Sequence, residues 1–210
     1  MTRPSKPTDV GHRAVVRLFD ASTVDDAVLA RLTSWLDESE RQRLHRFVRH
    51  ERRTQFILGR VLARQALGAV LGLAPRTVRL AERPGAAPVL ASPGFERAGF
   101  SISHSGRWIA CAASATSKVG LDVEVVDPTR DIASIAAQAF DRGQLAWLAA
   151  RPPETRLSDF YRAWSTLEAR FKLGAAAVST FDLSRPGLSI IVCCEHALAL
   201  PPELQFGTLC

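Results

Sequence analysis

Gly120-Leu121-Asp122-Val123-Glu124 is the stretch on which the reading of this chain turns. Leu121, Val123 and Val125 alternate with Asp122 and Glu124, the period of two that sends neighbouring side chains of a strand to opposite faces. The apolar set suits a core. The acidic set puts two carboxylates on one face, their Cα atoms roughly 7 Å apart from the rise per residue. Like charges so placed repel unless a cation sits between them. Two carboxylate oxygens and a few waters are the usual protein share of a Mg²⁺ shell, which leaves positions for phosphate oxygens. A lone Asp-x-Glu is more often the solvated face of an edge strand, so the segments around this one decide.

The chain has 210 residues, enough for one large domain or two small ones and for a real core. Hydrophobic residues make up 47% and charged residues 23%, an ordinary globular balance that argues against disorder. No apolar run approaches the length of a membrane span. Met1 to Val10 is polar, with Pro4 and Pro7, and lacks the apolar core of a signal peptide, so the expected location is the cytoplasm. Cys111, Cys193, Cys194 and Cys210 lack metal-ligand spacing, and adjacent cysteines seldom bridge each other, so reduced thiols are expected. The net charge of +6 comes almost wholly from arginine; the lysines are Lys6, Lys118 and Lys172. Such a balance suits an anionic partner without choosing among nucleic acid, lipid, phosphorylated small molecule and acidic protein.

Outward from the opening strand, His12 to Phe19 reads as a strand and Val24 to Leu73 as helical, broken near Asp37 and His50. Eight arginines between Arg41 and Arg64 are expected mostly on solvated helix surface, where they set up a positive field. Thr77 to Ala81 reads as a strand and Glu82 to Ser92 as a Pro/Gly/Ala-rich loop. Two linked strands follow, Gly99 to Ser103 and Trp108 to Ser114, joined at His104-Ser105-Gly106-Arg107. Asp131 to Ala139 and Asp141 to Ala150 read as short helices, and Glu154 to Leu173 as a long one stopped by Gly174. Leu188 to Cys194 and Ala197 to Phe206 are strand-like, the latter interrupted by Pro201-Pro202. The order predicts an α+β fold with two halves, 1–117 and 118–210.

Trp164, Glu168 and Lys172 follow each other at four-residue steps and share one helix face. By itself that face is a core tryptophan beside a surface ion pair worth tenths of a kcal/mol. Packed on the Asp122/Glu124 face, it would add a third carboxylate and a proton donor beside one cation. Ser101-Ile102-Ser103-His104-Ser105-Gly106 places hydroxyls and an imidazole at a strand end, where they can bond phosphate oxygens. No G-x-S-x-G elbow accompanies the Ser-His pair, which speaks against a serine hydrolase.

Three segments in this order and spacing resemble the 4′-phosphopantetheinyl transferases, of the larger, surfactin-synthetase-activating type. They are Phe100 to Ser105, Gly120 to Glu124, and Phe160-Tyr161-Arg162-Ala163-Trp164-Ser165-Thr166-Leu167-Glu168-Ala169-Arg170-Phe171-Lys172. The helical run Arg41 to Leu67 is similar to the family's basic helices. The resemblance implies two similar α/β halves in a pseudo-twofold arrangement, with coenzyme A and Mg²⁺ in the cleft between them. It implies Asp122, Glu124 and Glu168 as metal ligands, and Glu168 and Lys172 as catalytic groups. Ser103 and His104 match contacts to coenzyme A phosphates, the histidine to the 3′-phosphate, and Arg43 a basic contact to the same end. It also implies a partner, an acidic apo carrier protein of fatty acid, polyketide or nonribosomal peptide synthesis. Neither nucleic acid nor membrane is expected as a partner, and an internally duplicated fold makes a monomer sufficient. Two positions depart from the pattern: Leu167 stands where many members carry lysine, and Gly85-Ala86-Ala87-Pro88 lacks their basic residue.

The reaction so implied is attack of a carrier serine on the coenzyme A pyrophosphate with release of 3′,5′-ADP. Glu168 is the candidate base and Lys172 the group that stabilises the leaving phosphate. A Mg²⁺-dependent nuclease is the alternative that three acids, a lysine and a basic surface also suit, although such enzymes want Glu-x-Lys on a strand. A non-catalytic coenzyme A- or carrier-binding homologue is the third reading, kept open by the two departures.

Overall fold

A strand with apolar residues on both faces must be covered twice, and the first strand sets that pattern. In the computed structural model, which describes residues 13–207, β1 spans Ala14–Asp20. Val15 and Phe19 enter one core and Val16 and Leu18 another. Expectations that fall on residues 1–12 and on Cys210 lie outside the described residues. Three helices follow, α1 (Asp26–Thr33), α2 (Glu38–Leu44) and α3 (His50–Leu71). Asp25 caps α1, and Asp37 caps α2 in a reciprocal box with Glu40. Then come β2 (Leu80–Arg83), β3 (Ala86–Leu90), β4 (Gly99–Ser105) and β5 (Trp108–Ser114). The remainder is β6 (Val119–Val125), α4 (Ile132–Ala139), α5 (Arg142–Ala149), α6 (Pro153–Leu173), β7 (Ser179–Asp182), β8 (Leu188–Cys194) and β9 (Glu203–Phe206).

The α+β class is as expected, and the same wiring occurs twice. β1 pairs antiparallel with β5, whose hairpin partner β4 lies outside it; β6 pairs antiparallel with β8, whose partner β7 lies outside it. A long helix covers each sheet, α3 the first and α6 the second. β9 extends the first sheet by running parallel to β1. No helix among the described residues is long and apolar enough to cross a membrane. Cys111, Cys193 and Cys194 are buried free thiols.

Several local expectations are corrected. The Thr77–Ala81 strand begins only at Leu80, because Pro75–Thr77 forms a 3-10 turn. The loop over 82–92 is largely a hairpin: Pro84-Gly85 makes the turn, with Gly85 at φ 68°, and small residues on β3 give little strand signal. His104 and Ser105 belong to β4 itself, leaving Gly106-Arg107 as the turn. β7 was not expected at all. Arg60 and Arg64 are buried, since α3 is enclosed on all sides from Thr54 to Gly68. A buried guanidinium needs a carboxylate. Arg64 donates to both oxygens of buried Glu40 at 3.0 and 2.7 Å, and Arg60 pairs with Glu82 and Glu40.

The two sheets are joined along β6. Its outer edge faces β4, and the Leu121, Val123 and Val125 N–H groups donate to the hydroxyls of Ser101, Ser103 and Ser105 at 3.0, 3.2 and 3.1 Å. On the other side, Gly120 lets the α6 backbone come close: a Cβ there would lie 1.9 Å from the Ala169 carbonyl oxygen. Gly120→Ala must therefore push α6 away from β6. We expect a loss of at least about 2 kcal/mol of stability in urea denaturation, the scale of core overpacking.

Candidate active site

Period-two alternation turns Asp122 and Glu124 to the side of β6 that α6 covers, and four-residue spacing turns Trp164, Glu168 and Lys172 down onto them. The Lys172 ammonium donates to Asp122 Oδ1 at 2.7 Å and to Ser103 Oγ at 3.0 Å. Ser103 donates in turn to Asp122 Oδ1 at 3.1 Å while accepting the Val123 N–H, so its hydroxyl is fully used. Glu124 accepts from Ser105 Oγ at 2.8 Å and from the Trp164 indole N–H at 3.3 Å, with Arg130 at 3.9 Å. Lys172 is thus the cation paired with Asp122, and Arg130 the one near Glu124.

Glu168 lies between Trp164 and Lys172 on the helix and has no hydrogen-bond or ion-pair partner among the described residues. Asp122 is only 3% exposed, and its Oδ2 is buried without a hydrogen bond. Leaving a buried carboxylate oxygen unpartnered is costly. No three Asp, Glu, His or Cys side chains among the described residues form a ready metal-binding group. The donors nonetheless suit a hard divalent cation: all are carboxylate oxygens, one is orphaned, and one whole carboxylate is unpaired.

His104 points away from the serines of its strand, toward α3. Its Nε2 is 2.8 Å from Arg52 Nη1, which must be the donor, so the ring proton belongs on Nδ1. Partial burial of the ring, then the Arg52 and Lys172 cations, hold its pKa below the ordinary imidazole value. The two residues edge a pocket of about 160 Å³ that Arg43, Phe56, Arg60 and Pro88 also line. Arg43 and Arg60 both pair with Glu82. Among the described residues Arg52 has only neutral partners, His104, Gln55 and the face of the Phe47 ring.

The structure thus brings Ser103, Asp122 and Lys172 into contact, with Glu124 beside Trp164. His104 lies on the far face of β4 and Arg43 in the His104 pocket, tied to a carboxylate. Sequence reasoning has Arg52 only as part of a positive field and Ser105 only among hydroxyls for phosphate oxygens, not as a partner of Glu124. The Ser-x-Ser-x-Ser spacing was a signal for Ser105, since it puts three hydroxyls on one face. Arg52 had none, because its position depends on how α3 lies against β4.

The family model described as "4′-phosphopantetheinyl transferase, N-terminal" matches residues 23–116, and that of the "4′-phosphopantetheinyl transferase superfamily" matches residues 118–198. The chain is 32% identical over 159 residues to 4′-phosphopantetheinyl transferase HetI of Nostoc sp., covering 75% of this chain and 67% of that protein. It is 29% identical to 4′-phosphopantetheinyl transferase Sfp of Bacillus subtilis, over 68% of this chain and 61% of that one. With 4′-phosphopantetheinyl transferase AcpT of Salmonella typhi it shares 33% identity, over 50% and 62% respectively. The matches span about two thirds or less of the length of these relatives.

The lowered pKa of His104 has a readable consequence. The unfolded chain, with a histidine near about 6.5, binds the proton more readily than the folded one. Stability from neutral His104 is therefore complete above about pH 6.5 and lost as pH falls through the folded pKa. NMR titration should find His104 below the ordinary value, and Arg52→Ala should move it up. An unchanged pKa in that variant would remove Arg52 as a cause.

Proposed function

Because the chain belongs to the 4′-phosphopantetheinyl transferase superfamily, we propose that it transfers the 4′-phosphopantetheine arm of coenzyme A to a serine of an apo carrier protein. The observation that carries this reading is the Lys172–Asp122–Ser103 contact one strand face away from the Arg52–His104 pair. Cationic and hydroxyl groups on both faces of β4 suit an elongated co-substrate with a pyrophosphate and a separate terminal phosphate. The serine oxygen bonds to the pantetheine-side phosphorus, the pyrophosphate P–O bond breaks, and 3′,5′-ADP leaves. Glu168, unpaired, takes the serine proton. Lys172, held by Asp122 and Ser103, meets the charge gathering on the departing phosphate.

We assign Asp122, Glu124 and Glu168 to a divalent cation, with Mg²⁺ the natural candidate for an all-carboxylate set. When bound, it supplies charge neutralisation at the pyrophosphate. Ser105 and Trp164 orient Glu124, and Gly120 keeps α6 close enough for Lys172 to reach Asp122. We take the halves to be 1–117 and 118–210, which the repeated wiring supports, and the protein to work as a cytoplasmic monomer. For the terminal phosphate, the pocket of His104 and Arg43 is the proposed site, with Arg52 the main cation. Its charge is not already matched by Glu82, and it stands in for the basic residue missing at Gly85–Pro88. The helical placement of Glu168 and Lys172 counts against the nuclease reading, which wants Glu-x-Lys on a strand.

Incubation with coenzyme A, Mg²⁺ and an apo acyl carrier protein should add the mass of the arm to the carrier. Coenzyme A binding without any mass gain would favour the non-catalytic homologue. Glu168→Gln should lower turnover by about 10²-fold, the scale of losing a general base. Lys172→Ala should lower kcat more than it raises the KM for coenzyme A. Near-wild-type constants in both variants would refute the site. In calorimetry, Arg52→Ala should weaken coenzyme A by about tenfold or more, with dephospho-coenzyme A much less affected. Arg43→Ala should have the smaller effect, and equal losses for both ligands would overturn the assignment of the pocket.

A further inference from the structure

The turn that leads out of β6 carries a second cation to the acidic face. Arg130 brings its Nη1 to 3.9 Å from Glu124 Oε2, close enough for charge attraction and too far for a hydrogen bond. Glu124 does not need it as a donor, since its Oε2 already accepts from Ser105 and its Oε1 from the Trp164 indole. Asp127, the other acid nearby, accepts from the Thr129 N–H and hydroxyl at 2.8 and 2.7 Å. Those two bonds, more than the Arg130 charge, hold its carboxyl below the ordinary carboxylate range. The Arg130 side chain therefore makes no hydrogen bond among the described residues, and its five N–H donors are unused beside the site.

Its backbone, by contrast, is tied down. Tyr161, wholly buried on α6, accepts the Asp127 N–H through its hydroxyl at 3.1 Å and donates to the Asp127 carbonyl at 3.3 Å. The same carbonyl accepts the Arg130 N–H at 3.4 Å, and the Arg130 carbonyl accepts the Ile132 N–H at 2.8 Å. Asp131 then caps α4. The helix that carries Trp164, Glu168 and Lys172 thus also sets the position of this turn, so gripping an anion costs Arg130 only side-chain freedom. Lys172 stands on one rung of the carboxylate row, at Asp122, and Arg130 beside the next, at Glu124. A pyrophosphate has two phosphoryl groups that need charge at separate places. The fork of a guanidinium suits the non-bridging oxygens of one of them.

We propose that Arg130 is a catalytic residue that binds the non-bridging oxygens of the transferred phosphoryl group, while Lys172 serves the phosphate that leaves. The inference rests on the transferase reading above and deepens it. The bond that forms joins the carrier serine oxygen to that phosphorus, and the bond that breaks releases the bridging oxygen with 3′,5′-ADP. Arg130 gives up no proton and forms no bond to phosphorus. In the transition state the charge is spread over the equatorial oxygens, which are the ones this fork holds.

The test compares two ligands that differ in that group: coenzyme A carries the transferred phosphoryl group and 3′,5′-ADP lacks it. With the full chain in Mg²⁺ buffer, calorimetry should show Arg130→Gln weakening coenzyme A by about tenfold while 3′,5′-ADP stays near wild type. With an apo acyl carrier protein, the same variant should lower kcat by about 10²-fold, the scale of losing one oriented transition-state donor. If the wild type loads the carrier, equal losses for the two ligands overturn the role of Arg130 alone. So do a coenzyme A affinity and a kcat that both stay at wild-type values, which would leave Arg130 a bystander of Glu124. A wild-type protein that binds coenzyme A and never loads the carrier overturns the transferase reading itself, and the role of Arg130 with it.

Discussion

A sheet that ends in a buried strand leaves a row of N–H groups without partners, and β6 has such an edge. Three serine hydroxyls on β4 take the place of a neighbouring backbone. Much of the site follows from that substitution. A hydroxyl can accept from the strand and still donate, so Ser103 and Ser105 also hold Asp122 and Glu124. A backbone carbonyl could not have done both. One row of side chains thus closes the seam between the sheets and orients the carboxylates on it.

The charges divide along similar lines. Glu40 and Glu82 neutralise Arg60 and Arg64 inside the first half and take up Arg43 at its surface. Glu40 also completes the cap of α2 through the Asp37 N–H, so one buried carboxylate ties helix start to helix core. Breaking such a group by removing one partner would strand a buried charge. Arg52 escapes this pairing. A cation left facing a neutral imidazole is a poor structural element and a good receptor for an anion.

Much of this was legible in the chain itself. Alternation around Asp122 and four-residue spacing from Trp164 marked the two faces that meet, and the contacts of Trp164 and Lys172 with Glu124 and Asp122 awaited the structure. Asp caps and the glycine after Leu173 marked the helices well. The misreadings share a cause. Composition says arginine is exposed, but α3 is surrounded, so Arg60 and Arg64 take their setting from tertiary contacts. Ala86 to Leu90 is a poor strand by propensity, yet a Pro-Gly turn and one partner suffice to pair it. The Arg52–His104 contact joins residues 52 positions apart and has no local signature.

The three serine bridges connect residues separated by a constant 20 positions. β4 and β6 therefore run parallel, in a register counted in steps of two. Sliding β6 by a single residue against β4 would turn its paired N–H groups away from the hydroxyls. A change of two would slide the carboxylates one rung along. The seam between β4 and β6 thus has a fixed gauge, and changes in chain length have to be absorbed in the loops that join the strands rather than in the strands themselves.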